Sequence, residues 1–499
     1  MITIKAKSIK INAIFNGIYQ ILALLTPLLT TPYISRVFGA SLIGKYSYYY
    51  SYLSYFTLIA AFGFSGYGVK VISEHRDNKY LRSQDFWGIM LSKGFLSILC
   101  LFVYLIITFS IFDDSSSRML FLSMALYIVA IMVDPTFYFQ GEEKFVSVSL
   151  RNIFIRILSL VLVFSVIRDS SDLVWYALIM SGSSLLSTSI MFFSFKKEDI
   201  SKPHWRDLNI KKHMWQSFSF FAPSLAVSLF QVLNQNLLGI IGQDDAQNGY
   251  YSEAMKFVTL LASLAGSISV IMLSRMSYLY EIKDEKQIRD KTIKTFQAFW
   301  AVALPCTFGL AAINQYLIPV FLGSGFEGTI PVLYIVCPII IFSPLNGLFG
   351  SIYFRPVNKI WTQTYIIFFA AFLSVIANLI LIGPYKAIGC AIGSLIAEFS
   401  QFPLLLYYSR KTIKPSMVFG AAIKPFDSSL IMFAITFASG QLMTDASVNK
   451  YVVLVAMILI GISSYALASI LFKDEFVMMM LKAVIRKTKE INKKVFKRA

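Results

Sequence analysis

Apolar runs of about twenty residues follow one another along the whole chain, separated by short polar connectors. A helix of that length spans a ~30 Å hydrocarbon core, so the pattern predicts an all-α polytopic membrane protein. The runs place fourteen transmembrane helices at 11–34, 42–66, 86–112, 119–139, 145–167, 171–194, 214–240, 249–274, 295–318, 329–352, 360–382, 387–408, 426–444 and 450–472.

The connectors alternate in character. One set, including KVISEHRDNKYLRS, FKKEDISKPHWRDLNIKKH and RMSYLYEIKDEKQIRDKTIK, is basic; the other, including FDDSSSR, RDSSD, GQDDAQN and TDASVN, is short and acidic. Along this topology 35 Lys and Arg fall on the first side and 6 on the second. The positive-inside rule therefore puts both termini in the cytoplasm. No connector is long enough for a folded domain, which excludes catalysis by a soluble domain and points to a transporter rather than an enzyme.

Composition agrees with the pattern: 57% of the 499 residues are hydrophobic and 14% charged, about half the charge of an ordinary soluble chain. The net charge of +18 sits in the cytoplasmic connectors, so no nucleic-acid partner is expected. Cys100, Cys306, Cys337 and Cys390 lie inside apolar runs and read as small buried hydrophobes. His75, His204 and His213 are scattered in basic connectors, and no metal site is expected. The N-terminal MITIKAKSIK has no small-residue cleavage site, so no signal peptide is expected. In the tail 473–499, Lys482, Arg486, Lys489, Lys493 and Lys497 share one helical face opposite apolar residues, the pattern of a helix lying on anionic lipid.

An internal repeat organises the chain. Gly44-Lys45-Tyr46-Ser47 opens the second span and Gly249-Tyr250-Tyr251-Ser252 the eighth; Pro27 matches Pro223, and FYFQG at 137–141 matches IYFRP at 352–356. Like segments six spans apart imply two parallel six-helix lobes, 1–194 and 214–408, with a linker at 195–213, a last pair of helices over 426–472 and a central cleft that rocks.

Charges inside spans are expensive, and each is a functional candidate. They are Lys93, Asp134, Arg151, Arg156, Glu253, Lys256 and Glu398. Glu253 and Lys256 are three apart and can pair along one helix. Arg151 and Arg156 point about 140° apart, so one is expected in the cleft while the other meets Asp134. A guanidinium in a wet cleft suits phosphate, and internal ion pairing is the alternative. Asn16 and Gln20 on span one, and Gln231, Asn234 and Gln235 on span seven, form matched polar faces that serve either as packing or as a hydrophilic lining. In GKYSYYYSYLSYF, residues 44–56, Tyr49 with Leu53 and Phe56 beside it forms a lipid-leaning face. Ser47, Ser51 and Ser54 form a stripe toward the protein, either close packing or cleft lining, with Tyr48 and Tyr52 beside it.

The segment TPYISRVFGASLIGKYSYYYSYLSYFTLIAAFGFSGYGVKVISEHRD resembles the N-terminal signature of the polysaccharide (O-antigen and capsule) repeat-unit flippases. These belong to the multidrug/oligosaccharidyl-lipid/polysaccharide exporter superfamily. Matching positions include Pro32, Tyr33, Arg36, Gly39, Gly44, Tyr67, Gly68, Arg76 and Asp77, and DPTFYFQGEEKF and RNIFIR continue the likeness. Ser274-Arg275 stands where relatives often carry Pro-Arg, and Asn236 where many carry Asp. The resemblance implies fourteen spans in a bacterial cytoplasmic membrane and transfer of an undecaprenyl-pyrophosphate-linked oligosaccharide to the outer leaflet. The lipid-linked sugar, the bilayer, and a polysaccharide polymerase with its assembly proteins are then the expected partners. Arg36, Arg151 and Arg156 become the candidate pyrophosphate or sugar-acid contacts. Asn16, Gln20, Tyr48, Tyr52, Gln231, Asn234 and Gln235 become the candidate sugar contacts. No cofactor is implied beyond H⁺ or Na⁺, for which Asp134, Glu253 and Glu398 are the candidate carboxylates. A cation-coupled drug exporter and a peptidoglycan-precursor flippase of the same superfamily are the alternatives.

Overall fold

The computed structural model describes residues 2–479 apart from 112, 196–199 and 206. The side chains of Asn16, Gln20 and Gln231, and the basic tail from 480 on, lie outside the described residues. Eleven helical segments among the described residues are long and apolar enough to cross a membrane. Two of them, Leu25–Glu74 and Ile360–Ser409, are 50 residues each. At 1.5 Å per residue each is about 75 Å long, more than twice a hydrocarbon core. Each is interrupted within: at Gly39 (φ 67°, ψ 177°) in the first and at Lys386 (φ 49°, ψ −122°) in the second. Gly39 adopts a conformation closed to a residue bearing a Cβ, which gives this glycine of the signature its reason.

The chain divides into two compact units, Met1–Gly249 and Tyr250–Ala499. The first is built from α1 (Ile2–Ala61), α2 (Phe64–Glu74), α3 (Lys79–Ile111), α4 (Ser115–Met124), α5 (Leu126–Met132), α6 (Thr136–Gly141), α7 (Phe145–Val166), α8 (Leu173–Phe193) and α9 (Ile210–Gly242). The second contains most of α10 (Asp245–Glu281), then α11 (Glu285–Phe321), α12 (Thr329–Val336), α13 (Ile339–Phe349), α14 (Ile360–Ser409), α15 (Pro415–Phe419), α16 (Ile423–Asp445) and α17 (Lys450–Leu471).

Helix α3 shows how such a unit is built for lipid. Phe95, Phe102 and Phe109 recur every seventh residue and are about 60% exposed, while Ser92, Lys93, Ser97, Tyr104 and Thr108 are buried. The apolar face points out and the polar face in, because lipid solvates phenylalanine and only protein can satisfy the polar groups. Thr108 and Ser92 hydroxyls donate to the carbonyls four residues back, and Tyr104 donates to Phe121 O at 2.8 Å.

The fourth run is not one helix but α4, α5 and α6. Pro135 has no N–H to continue the ladder, and the break is held by side chains. The Asp134 carboxylate accepts from the Thr136 N–H at 3.0 Å and from the Thr136 hydroxyl, and buried Lys93 donates to the Asp134 carbonyl. The repeat-related tenth run is broken in the same way, into α12, α13 and a π-turn at Gly350–Phe354.

The turn after α6 is fastened to the α2–α3 turn by charge. Arg82 meets Glu142 at 2.7 Å, Lys144 meets Glu142 at 2.6 Å, and Arg76 meets Glu143 at 3.1 Å while donating to Gly141 O at 2.7 Å. Signature residues Arg76, Gly141 and Glu143 therefore hold two turns together. Arg82 and Glu142 are largely buried, so Glu142→Ala leaves Arg82 without this carboxylate and lowers stability by about 3 kcal/mol. Half-exposed Glu143→Ala costs less than ~1 kcal/mol. Thermal denaturation of the two purified variants checks the contrast.

Two of the three histidines, His75 and His213, converge on one carboxylate. His75 Nδ1 lies 2.5 Å from Asp85 Oδ2, and buried His213 Nε2 lies 3.8 Å from Asp85 Oδ1. The Tyr67 hydroxyl bonds His213 Nδ1 at 2.9 Å and Gln216 Oε1 at 2.7 Å, tying α2, α3 and the start of α9. Burial holds His213 below the ordinary imidazole range, with the Asp85 carboxylate opposing. The sequence separates His213 from His75 and Asp85 by more than a hundred residues, so only the fold brings them together.

A second close approach involves the repeat itself. A Cβ on Gly44 would sit 1.7 Å from Asp245 O, and one on Gly249 would sit 2.1 Å from Ala40 O. The offset that carries Gly44 to Gly249 also carries Ala40 to Asp245, so the contact is reciprocal. All four residues lie in the first unit.

Candidate substrate-binding site

The two span-five arginines have different surroundings. Arg151 is half-buried and engaged: Nε and Nη2 donate to Asn152 Oδ1 at 3.1 and 2.6 Å, and Nη1 reaches the Thr136 hydroxyl at 3.4 Å. Through Thr136 it joins the Asp134–Lys93 cluster at the α5–α6 break. Arg156, in the middle of α7, makes no ion pair or side-chain hydrogen bond with any described residue, and its Nε is enclosed without a partner. Leaving a cation in that state costs at least ~2.5 kcal/mol, so its retention points to an anionic ligand.

Arg156 lies near one tyrosine, Tyr127, which belongs to a cluster drawn from three helices. Its charge acts on the Tyr127 hydroxyl of α5, which shares a hydrogen bond with the Tyr46 hydroxyl of α1. The Tyr46 ring stacks on Tyr50 at 6.1 Å and meets Tyr176 of α8 edge-on at 5.1 Å, while Tyr50 meets Tyr127 edge-on at 5.7 Å. Tyr46, Tyr127 and Tyr176 are half-buried and Tyr50 is 42% exposed, so the group is not part of the closed core. Phenol rings with hydroxyls offer apolar faces and hydrogen bonds together. A single cation beside them can hold an anion carrying a polar group.

The other predicted contacts are distributed differently. Tyr48 and Tyr52 join hydroxyls at 2.9 Å, and a Cβ on Gly239 of α9 would lie 2.1 Å from the Tyr48 ring. Ser51 donates to Asn236 at 2.5 Å. This side of α1 is thus packed on α9. Asn234 is buried and Gln235 half-buried in α9, and Arg36 is exposed just before the Gly39 break. Tyr49, expected to face lipid, is 8% exposed and packs edge-on against Phe121 at 5.8 Å. Tyr46 likewise turns toward protein. In the second unit Lys256 meets buried Glu253 at 2.5 Å. Sequence reasoning missed Tyr127 and Tyr176; Tyr176 is the lone tyrosine of the run 171–194, and Tyr127 shares the run 119–139 with Tyr138 alone.

Helices of this length and polarity, wrapped in exposed apolar side chains, define a multi-pass membrane protein. Residues 9–277 match the family "Polysaccharide biosynthesis protein", and the chain belongs to that family. It is 24% identical over 405 residues, 81% of its length and 97% of the relative's, to a protein of Escherichia coli (strain K12) named "Putative O-antigen transporter". Among solved structures it is similar to the lipid II flippase MurJ in an inward closed conformation. That likeness has a TM-score of 0.72 and 18% identity, and covers 93% of this chain and 99% of the other. It is also similar to an inward-facing multidrug resistance MATE family transporter of the MOP superfamily, with a TM-score of 0.55 and 13% identity, over 78% of this chain and 98% of the other. These likenesses establish the fold.

Proposed function

We propose that the protein is a flippase that moves a polyprenyl-pyrophosphate-linked oligosaccharide from the cytoplasmic to the outer leaflet of a bacterial cytoplasmic membrane, by alternating access, for surface polysaccharide synthesis. The observation that carries the reading is Arg156, a mid-helix cation with no ion pair among the described residues and an enclosed, unbonded Nε, near Tyr127 of a four-tyrosine cluster. Pyrophosphate supplies the charge that Arg156 lacks, the tyrosines offer ring faces and hydroxyls to the sugars, and the polyprenyl tail remains in lipid. The family and the name of the Escherichia coli relative support a polysaccharide precursor as cargo. Each 50-residue segment is read as two crossings and α9 as one more, which brings the eleven candidate spans to fourteen with both termini inside. Arg36 and Arg151 are secondary anion contacts. Asn16, Gln20, Gln231, Asn234, Gln235, Tyr48 and Tyr52 are secondary sugar contacts in this reading.

A deletion strain with no redundant transporter accumulates lipid-linked repeat units on the cytoplasmic face and loses its surface polymer. Normal export in that strain overturns the proposal. Loss of viability instead favours the peptidoglycan-precursor reading, which the MurJ-like fold keeps in view.

A further inference from the structure

Three carboxylates lie within the apolar segments, half-buried Asp134 and buried Glu253 and Glu398, and their surroundings separate them. Asp134 accepts two bonds from Thr136 beside Lys93, and Glu253 pairs with Lys256. Glu398, in the second half of α14, is 6% exposed and has no cation against it among the described residues. The groups facing it are neutral. Asn346 of α13 donates from Nδ2 to Glu398 Oε2 at 3.0 Å and to the Glu398 carbonyl at 2.9 Å; Gln401 Nε2 lies 3.5 Å from Oε2; and Ser343 of α13 is also bonded to the carboxyl. Gln363, from the first half of α14, donates to Asn346 O at 3.4 Å. No titratable side chain of these helices acts on Glu398 electrostatically.

The same cluster holds a second unmet group. Asn346 is 5% exposed and its Oδ1, a buried acceptor, has no hydrogen-bond partner. An ionised Glu398 would be an uncompensated charge in the apolar region, next to an acceptor lacking a donor. One proton answers both, because a carboxylic acid is neutral and brings an O–H donor.

We propose that Glu398 and Asn346 form a proton-binding site in the second unit, occupied when Glu398 is a neutral carboxylic acid and emptied during the transport cycle. The site stands on its own geometry, and its coupling to transport rests on the flippase reading. Binding is the transfer of one proton from water to a Glu398 carboxylate oxygen; release returns it.

The test is infrared spectroscopy of the purified full-length protein in lipid nanodiscs at neutral pH. The expected spectrum has a protonated-carboxyl carbonyl band that shifts in D₂O, is lost in Glu398→Gln and moves to higher frequency in Asn346→Leu. A wild-type spectrum without that band, a band unchanged in Glu398→Gln, or a carboxylate band that answers to added Na⁺ overturns the site. In proteoliposomes, an imposed pH gradient changes wild-type transfer of a lipid-linked oligosaccharide by about tenfold, while Glu398→Gln transfers equally with and without it. Equal wild-type rates with and without the gradient overturn the coupling. If the wild type transfers nothing, the flippase reading falls and the infrared result still decides the site.

Discussion

Arg156→Ala abolishes most transport and at the same time makes the protein more stable. A charge-assisted contact to phosphate contributes about 1.5–3 kcal/mol, so its loss lowers apparent affinity for the lipid-linked substrate on the order of ten- to a hundredfold. Without ligand, Arg156 has no ion-pair partner among the described residues and an enclosed, unbonded Nε, so its removal relieves a cost instead of breaking a bond. The melting temperature of the ligand-free variant therefore rises. Arg156→Lys keeps the charge and loses the fork, and so falls between wild type and alanine. Arg151→Ala behaves oppositely in stability, because its guanidinium is spent on Asn152 and Thr136 and ties α7 to the α5–α6 break. A purely structural Arg156 would lower the melting temperature on removal, so paired melting and transport measurements separate the two roles.

The second large effect is steric. Gly44→Leu cannot be accommodated, since even a methyl carbon would stand 1.7 Å from Asp245 O. Backbone has to move, and overpacking of this kind costs about 3 kcal/mol or more. Gly249→Leu strikes the reciprocal contact at Ala40 and is expected to have the same phenotype. Gly94→Ala is the control: nothing lies within 4 Å of its added carbon, and the substitution favours the α3 helix by up to ~1 kcal/mol. Melting temperature and cell-surface polymer of the three variants check the series.

These cases show where the sequence is readable. Length and apolarity mark each crossing, because the bilayer imposes both, and the acidic connectors also mark starts: Asp114 caps α4 through Ser117 N at 2.9 Å, and Asn449 caps α17 through Tyr451 N at 3.0 Å. Helix faces are harder. In lipid the inside is not the more hydrophobic side, so a wheel of tyrosine and serine gives no direction, and Tyr49, which the wheel turns to lipid, is buried against Phe121. The break at Pro135 depends on Lys93 of α3 arriving to satisfy the Asp134 carbonyl, a tertiary condition. Arg151 and Arg156 look equivalent in RNIFIR. Only the fold of α6 onto α7 shows that Thr136 engages the first and leaves the second to the tyrosines.

The most direct test of the account is a reconstituted transfer assay. Purified protein is placed in liposomes with a polyprenyl-pyrophosphate oligosaccharide, and the fraction reaching the opposite leaflet is followed with a sugar-cleaving enzyme added outside. Wild type is expected to expose the inner pool rapidly, and Arg156→Ala, correctly inserted and more stable, is expected to leave it protected. Equal exposure by wild type and Arg156→Ala, or protection of the pool by wild type, contradicts the assignment of Arg156 to a lipid-linked pyrophosphate.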